Sequence, residues 1–406
     1  ALVGGGEFTT PFMADNIGGF SSGGVQIPQF GPRLWFNAAT STPLPVSGVS
    51  ATDISTHLSG SFNNMGIPGA NATHLGVAGY GAANPYFGRI ASGAGASVVG
   101  DAIAQNPTFF SLWIGGNDVL SYASSGGIGV NQTGNSNPAT YGSNDITDPT
   151  VFASVYNTLV TSLTAGGAKG IVANLPYVST LPFFTTVLYN AATLSAAQST
   201  ALNSGYAAYN GGLQVAKNAG LITEEERVAR TITFAAGANK LVMVDEYPTN
   251  LSGLGLPSYR QATASDFVLL TSGGVSAQAH LPLGNGTQFP LTDAWVLSKN
   301  EVAEIKVATD AYNASIKAIA DAKGLAFVDA KAIMDKLSTT GIASNNFTVK
   351  AEYVFGGAFS LDGVHPSPRG YALIANAFID AINAKYSSTF KKVDLGNYRI
   401  LFPASL

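Results

Sequence analysis

A unit repeated along this chain constrains its fold more than any other feature: an amphipathic helical stretch, a glycine stop, then a short run of apolar residues. The clearest copy opens at Ser298. Ser298 and Glu301 have the spacing of a capping box, and Val302, Ile305, Thr309, Tyr312, Ile316 and Ile319 follow at steps of three, four or seven. Gly324 ends the pattern, and Leu325, Ala326, Phe327 and Val328 read as a buried strand. A second copy starts at Asp148 and Pro149, shows Phe152, Val155, Tyr156, Leu159 and Leu163 on one face, stops at Gly166 and Gly167, and feeds a strand over Ile171, Val172 and Ala173. A helix from Ser97 to Ile103 precedes the apolar run Phe109 to Ile114. A last helix takes Ser367 as cap and Pro368 as its first residue, with Tyr371, Ile374, Phe378 and Ile382 on one side.

Helices alternating with all-apolar strands predict a parallel sheet covered on both faces, hence an α/β class. In such sheets ligands bind at the carboxyl ends of the strands. Attention therefore falls on the loops after Ile114 and before Ser367. Two stretches break the alternation. Residues 125–148 are polar and turn-rich, and read as a surface excursion. Residues 177–297 hold a helix pair, Ser195 to Gly220 and Thr223 to Arg230, then strand candidates at Lys240 to Val244 and Asp266 to Leu270. The expected organisation is a core formed by 1–176 and 298–406, with 177–297 inserted as a cap.

Composition narrows the function. Of 406 residues only 11% are charged, against roughly 25% in an average soluble domain. The net charge of −4 supplies neither the basic stripe that nucleic acid needs nor a polybasic lipid-binding cluster. Nucleic acid is not expected as a partner. The chain has no cysteine, which excludes disulfides, thiolate metal sites and cysteine nucleophiles. Together with 47 glycines and a hydroxyl-rich, weakly charged makeup, this leans towards an extracytoplasmic protein. The glycine pairs follow no period, so a solenoid or outer-membrane barrel is disfavoured.

Four histidines are present: His57, His74, His280 and His365. Only His365 has a carboxylate at a useful spacing, in SLDGVHPSPRGY, with Asp362 three residues earlier in a turn. The pair reads either as a carboxylate orienting a general base, or as a turn in which Asp362 binds backbone amides and His365 is exposed. SLWIGGNDVL, residues 111–120, runs an apolar strand into Gly115, Gly116, Asn117 and Asp118. Asn117 offers an amide donor to a developing oxyanion, while Asp118 reads equally as a helix cap. SFNNMGIPGANA, residues 61–72, presents a short strand candidate and a turn in which the Gly69 amide is a second possible donor. No group of residues has metal-ligand spacing.

Taken in order, the turn after NMGI, then G-G-N-D at a strand end, then D-G-V-H-P before the last helix, resemble blocks II, III and V of the SGNH hydrolases, also called the GDSL lipases and esterases. The resemblance extends over residues 60–385. It implies a flavodoxin-like three-layer α/β/α fold, Asp362 and His365 as triad members, and Gly69 and Asn117 in the oxyanion hole. It further implies hydrolysis of acyl esters through a serine-bound intermediate, without cofactor or metal. The substrates would be small acyl esters, acylated glycans or lipid esters, and an outer-membrane partner or a lipid anchor upstream would suit an exported member. The family's nucleophile belongs to block I, G-D-S or a variant, before block II. GGFSSGG, with Ser21 and Ser22, is the nearest candidate and lacks both a preceding apolar strand and a following helix. A long exported subfamily continues from block I into a segment like ALVGGGEFTTPFMADNIGG, so the nucleophile is expected upstream of Ala1. The structure should then show an empty central strand position, or an N-terminal fragment completing the sheet. A non-catalytic surface protein binding a glycan or a membrane protein on the same scaffold is the competing reading. Phe183, Phe184 and Tyr189 would either line an acyl pocket or pack the cap onto the core.

Overall fold

The computed structural model describes residues 8–405. The helices expected from the sequence form, most of them capped by the side chains that announced them, and α7, which was not expected, joins them. In chain order the longer helices are α1 (Val98–Ala104), α2 (Asn117–Ser124), α3 (Pro149–Thr164), α4 (Ala196–Asn218), α5 (Glu224–Arg230), α6 (Lys299–Ala322), α7 (Ala330–Leu337) and α8 (Pro368–Tyr386). Asp148 Oδ1 accepts the amides of Thr150 at 2.8 Å and Val151 at 2.9 Å, and Ser367 Oγ accepts that of Gly370 at 3.0 Å. Helices α4 and α6 each carry both halves of a capping box. Such caps satisfy amides that have no partner within the helix, at about 1 kcal/mol each.

Three strands, β1 (Phe109–Leu112), β2 (Lys169–Ala173) and β3 (Ala326–Val328), form a parallel sheet in the order β3-β2-β1. Helices cover both faces, as the all-apolar strands required. On one face Phe110 and Val172 join a core with α3 and α6, in which Phe152 and Tyr312 stack at 4.1 Å. On the other, Ile171, Ala173, Ala326 and Val328 meet α8, and the Tyr386 hydroxyl donates to the Gly170 carbonyl at 2.7 Å.

Within 177–297, α4 packs one small core around Leu213, Ile232 and Val242, and a second forms around Val268, Leu291 and Trp295. Arg260, buried, bridges Asp245 and Asp266, with 2.7 Å to Asp266. Asp266 also accepts the Lys299 amide at 2.8 Å, tying this region to the head of α6. Phe183 and Phe184 pack into the main core.

The structure narrows the sequence reading at some places and departs from it at others. Strand β1 ends at Leu112 instead of Ile114, because the chain turns away at Gly115, whose φ is +118 and where a Cβ would strike Phe152 and Leu175 at 2.9 Å. The strand expected within 240–244 is Val242–Val244, and that within 266–270 is Phe267–Val268; both pair antiparallel. Residues 61–67 form no strand: the Asn64 amide bonds the Thr9 carbonyl and the Gly66 amide bonds Asn64 Oδ1. The apolar side of α8 is not sealed, since Tyr371 is 54% exposed and Ile374, Phe378 and Ile382 are only half-buried.

Among the described residues β1 is paired on one edge only, to β2. Beside it runs a groove of about 2340 Å³, lined by residues 108–117, by residues 63–70 and by the apolar stripe of α8. The open position therefore lies at the edge of a three-stranded ladder and not between two paired strands.

Candidate active site

The turn between Phe359 and Ser367 is built to hold one histidine. The Ser360 amide donates to the His365 carbonyl at 2.8 Å and the Gly363 amide to the Ser360 carbonyl at 3.0 Å, closing the turn. Gly363 has φ +73, and a Cβ there would lie 2.8 Å from the Phe183 nitrogen, so glycine is required on both counts. The two oxygens of Asp362 divide the work. Oδ1 accepts the amides of Val364 at 2.8 Å and His365 at 2.9 Å, and the Ser360 hydroxyl at 2.7 Å. Oδ2 lies 2.7 Å from His365 Nδ1. Both sequence readings of Asp362 thus hold at once, and the amide bonds fix the carboxylate that fixes the ring.

Burial alone would raise the Asp362 carboxyl, but the bonds from His365, Ser360 and the Val364 amide outweigh it and bring it down to about 2. The same pairing raises His365 above its ordinary 6.5, against a smaller effect of burial. With the carboxylate at Nδ1 the neutral ring carries its proton there, leaving Nε2 as the basic nitrogen. Nε2 makes no hydrogen bond among the described residues, and the His365 side chain is 65% exposed.

The other two expected residues line the same groove as His365. Gly69, Gly116, Asn117 and His365 all line the groove beside β1. Asn117, the first residue of α2, donates through Nδ2 to the Ala70 carbonyl at 2.9 Å, which leaves its second amide hydrogen for another acceptor. Asp118 is not the cap that its position suggested. It is fully buried, and its Oδ2 accepts the Ala72 amide at 2.8 Å, while Oδ1 has no partner among the described residues. Burial pushes its carboxyl up to about 7 despite that bond. Asn117 and Asp118 together latch the Gly69 loop to the head of α2, and Asn84 holds it from behind through the Pro68 carbonyl at 2.9 Å. The latching role of Asp118 was invisible in the sequence, where a helix-start aspartate carries no sign of a distant loop.

A smaller cavity of about 310 Å³ opens beside His365, lined mainly by Leu34, Leu120, Phe183, Leu361 and Val364. Phe183 thus both packs the core and walls this cavity; Phe184 is fully buried, and Tyr189 packs against the Trp295 cluster.

No serine hydroxyl bonds His365 among the described residues. Ser21 and Ser22 lie in a two-residue hairpin, Ser21 buried against the Thr52 carbonyl, and neither lines the groove or the cavity. The remaining histidines have local partners: His57 meets the Ala91 carbonyl at 2.9 Å, His74 stacks on Tyr80 and His280 on Trp295. Among the described residues no three His, Asp or Glu side chains converge as metal ligands, and no helix is long and apolar enough to cross a membrane. No family model matches the chain, and neither the curated proteins nor the solved structures contain a match to it.

Proposed function

We propose that this chain carries the acid–base pair and the oxyanion donors of a serine esterase of the SGNH type, on a flavodoxin-like α/β/α scaffold, and that the protein acts outside the cytoplasm. The observation that carries the reading is the Asp362–His365 pair at 2.7 Å, with His365 lining a groove that Gly69 and Asn117 also line. One orients and charges a base; the others supply donors.

In the proposed reaction a serine hydroxyl attacks the ester carbonyl while His365 Nε2 takes its proton, and Asp362 stabilises the imidazolium. The oxyanion receives the Asn117 amide and the Gly69 N–H. Collapse of the tetrahedral species expels the alcohol, which takes the proton back from Nε2. Water then repeats the sequence on the acyl-enzyme and frees the acid and the serine. The 310 Å³ apolar cavity lies at the lower end of ligand pockets, of the order of 300–1,000 Å³, and suits a short acyl group such as acetyl or butyryl, on a small alcohol or a sugar. No cofactor or metal is needed. The nucleophile in this reading precedes Ala1. The competing reading, a non-catalytic binding protein on the same scaffold, draws on the lack of a serine bonded to His365 among the described residues.

The test is hydrolysis of p-nitrophenyl acetate and butyrate by the full-length protein. His365→Ala and Asp362→Asn should each lower kcat by about 10⁴ with the circular dichroism spectrum unchanged. Because activity needs neutral His365, whose pKa is raised, kcat/KM should fall as pH drops through a midpoint above 6.5, and Asp362→Asn should move that midpoint down. Unchanged turnover in His365→Ala removes the residue from the mechanism.

A further inference from the structure

We propose that Leu34 sets the length of the acyl chain: it stands at the root of a hairpin lying against the Asp362–His365 turn and walls the cavity beside His365, so that short acyl groups such as butyryl fit and longer ones do not. The inference rests on the esterase reading and extends it from the reaction to the choice of acyl group.

Leu34 differs from the other apolar residues of this cavity. Leu120, Phe183 and Val364 also pack into or against the main core, and Leu361 belongs to the turn that holds Asp362. Leu34 belongs to neither, and among the described residues it is the one lining residue that precedes α2. A half-buried leucine that supports no core costs the fold little when it is changed, so its size is free to match what the cavity must hold. The interior suits an alkyl chain: apart from Asp362 and His365, the polar side chains that line it are the hydroxyls of Ser124 and Thr271. Such a pocket discriminates by size, one methylene being worth of the order of tenfold or more in kcat/KM.

The position of Leu34 is nevertheless fixed. Leu34–Asn37 pairs antiparallel with Thr42–Pro45, and Leu34 lies opposite Pro45 at the open end of that ladder. Arg33 anchors this end. Its amide donates to the Ile17 carbonyl at 2.8 Å, its carbonyl accepts the Val46 amide at 2.9 Å, and its guanidinium donates to the Asn16 carbonyl at 2.6 Å and the Pro403 carbonyl at 2.9 Å. Side chains alternate along a strand, so Leu34 and Phe36 share a face. Leu34 meets the cavity, and Phe36 packs edge-on against Phe355 with ring centroids 5.3 Å apart. Pro43 and Pro45 carry no amide hydrogen, which discourages a further strand beside them and leaves the hairpin to be seated by its side chains. The seat itself is strained: Val354, next to Phe355, takes φ +65, a region that a β-branched residue rarely enters. The Tyr353 hydroxyl, donating to the Leu361 carbonyl at 2.6 Å, and the Lys350 amide, donating to the Gly356 carbonyl at 2.6 Å, keep it there. Strain of this kind persists where the surroundings over-determine the backbone, as they do at ligand sites. Through Leu361 it ties the hairpin's seat to the turn that carries Asp362 and His365.

The test is the ratio of kcat/KM for p-nitrophenyl hexanoate to that for the acetate, measured on the full-length protein. Leu34→Ala, which trims the wall back to its Cβ, should raise that ratio by about tenfold or more, and Leu34→Phe should lower it by a similar factor. Opposite shifts from two changes at one position cannot come from partial unfolding, and circular dichroism checks the fold of both. Phe355→Ser, which removes the seat of the hairpin, should move the ratio several-fold in the direction of Leu34→Ala. Ester turnover with an unmoved ratio in both Leu34 variants overturns the inference and leaves the esterase reading standing. Where no ester is turned over, titration with sodium butyrate and sodium hexanoate, followed by the His365 ring signal in NMR, separates the two ideas. Hexanoate that binds about tenfold tighter to Leu34→Ala, with butyrate less affected, supports the wall and defeats the esterase reading. Equal binding in all forms, or none, together with no turnover overturns both.

Discussion

In α6 the apolar stripe of Ile305, Tyr312 and Ile316 is sealed, none of the three being more than 2% exposed, whereas in α8 the matching stripe of Tyr371, Ile374, Phe378 and Ile382 stays partly open. Both helices have a serine cap and the same periodicity. The difference lies in what each helix faces. Helix α6 meets α3 across a filled core; α8 lines the groove beside the edge of β1 that has no partner among the described residues. An amphipathic pattern thus tells which side of a helix is meant to be covered, but not by what.

Stability measurements can break or sharpen that contrast. The largest effect is expected on the sealed side: Tyr312→Ala removes a fully buried ring, its stack on Phe152 and its hydroxyl bond to the Thr147 carbonyl, and should cost about 3–5 kcal/mol in urea unfolding. Phe378→Ala on the open side should cost less than about 1.5 kcal/mol. Comparable losses at the two sites would show the groove to be as well packed as the core.

A smaller effect is expected in the pH dependence. Asp118 is held near 7 when folded against 3.8 as its ordinary value, so between about pH 4 and 7 the folded state binds more protons than the unfolded one. Stability should therefore fall as pH rises through that window. Glu301, which burial also pushes up to about 7, contributes in the same direction. Asp118→Asn should flatten the slope by about half, and an unaltered slope would mean that Asp118 is not desolvated. The smallest effect is expected from Tyr371→Ser, within about 0.5 kcal/mol, because the ring is already 54% exposed. A loss above 1.5 kcal/mol there would sink the description of an open α8 face.

Much of the site was legible because its parts are local. Asp362 and His365 are three residues apart in one glycine turn, and chemistry at that spacing needs no knowledge of the fold. Asn117 stood out for the same reason, at the end of an apolar run. Gly69 was weaker on its own, since a strand-to-helix turn is common, and only its order with the other two motifs raised it. What escaped was non-local. Asp118 looked like a cap because local rules favour Asp at a helix start, yet its bond runs 46 residues back to Ala72. The cavity beside His365 joins Leu34, Leu120, Phe183 and Leu361, which no window along the chain places together.

By itself the sequence determined the class of elements, their caps and the chemistry of the turn, because hydrogen-bond capping and side-chain periodicity act over a few residues. It also restricted the sheet to parallel strands, since strands apolar on both faces must be covered on both. Only the tertiary structure decided that, among the described residues, 61–67 would form no strand and β1 would pair on one edge alone, and that Gly69, Asn117 and His365 would line one groove. Those outcomes depend on which distant segments are present to satisfy backbone groups and cover apolar faces, and local propensity carries no information about them.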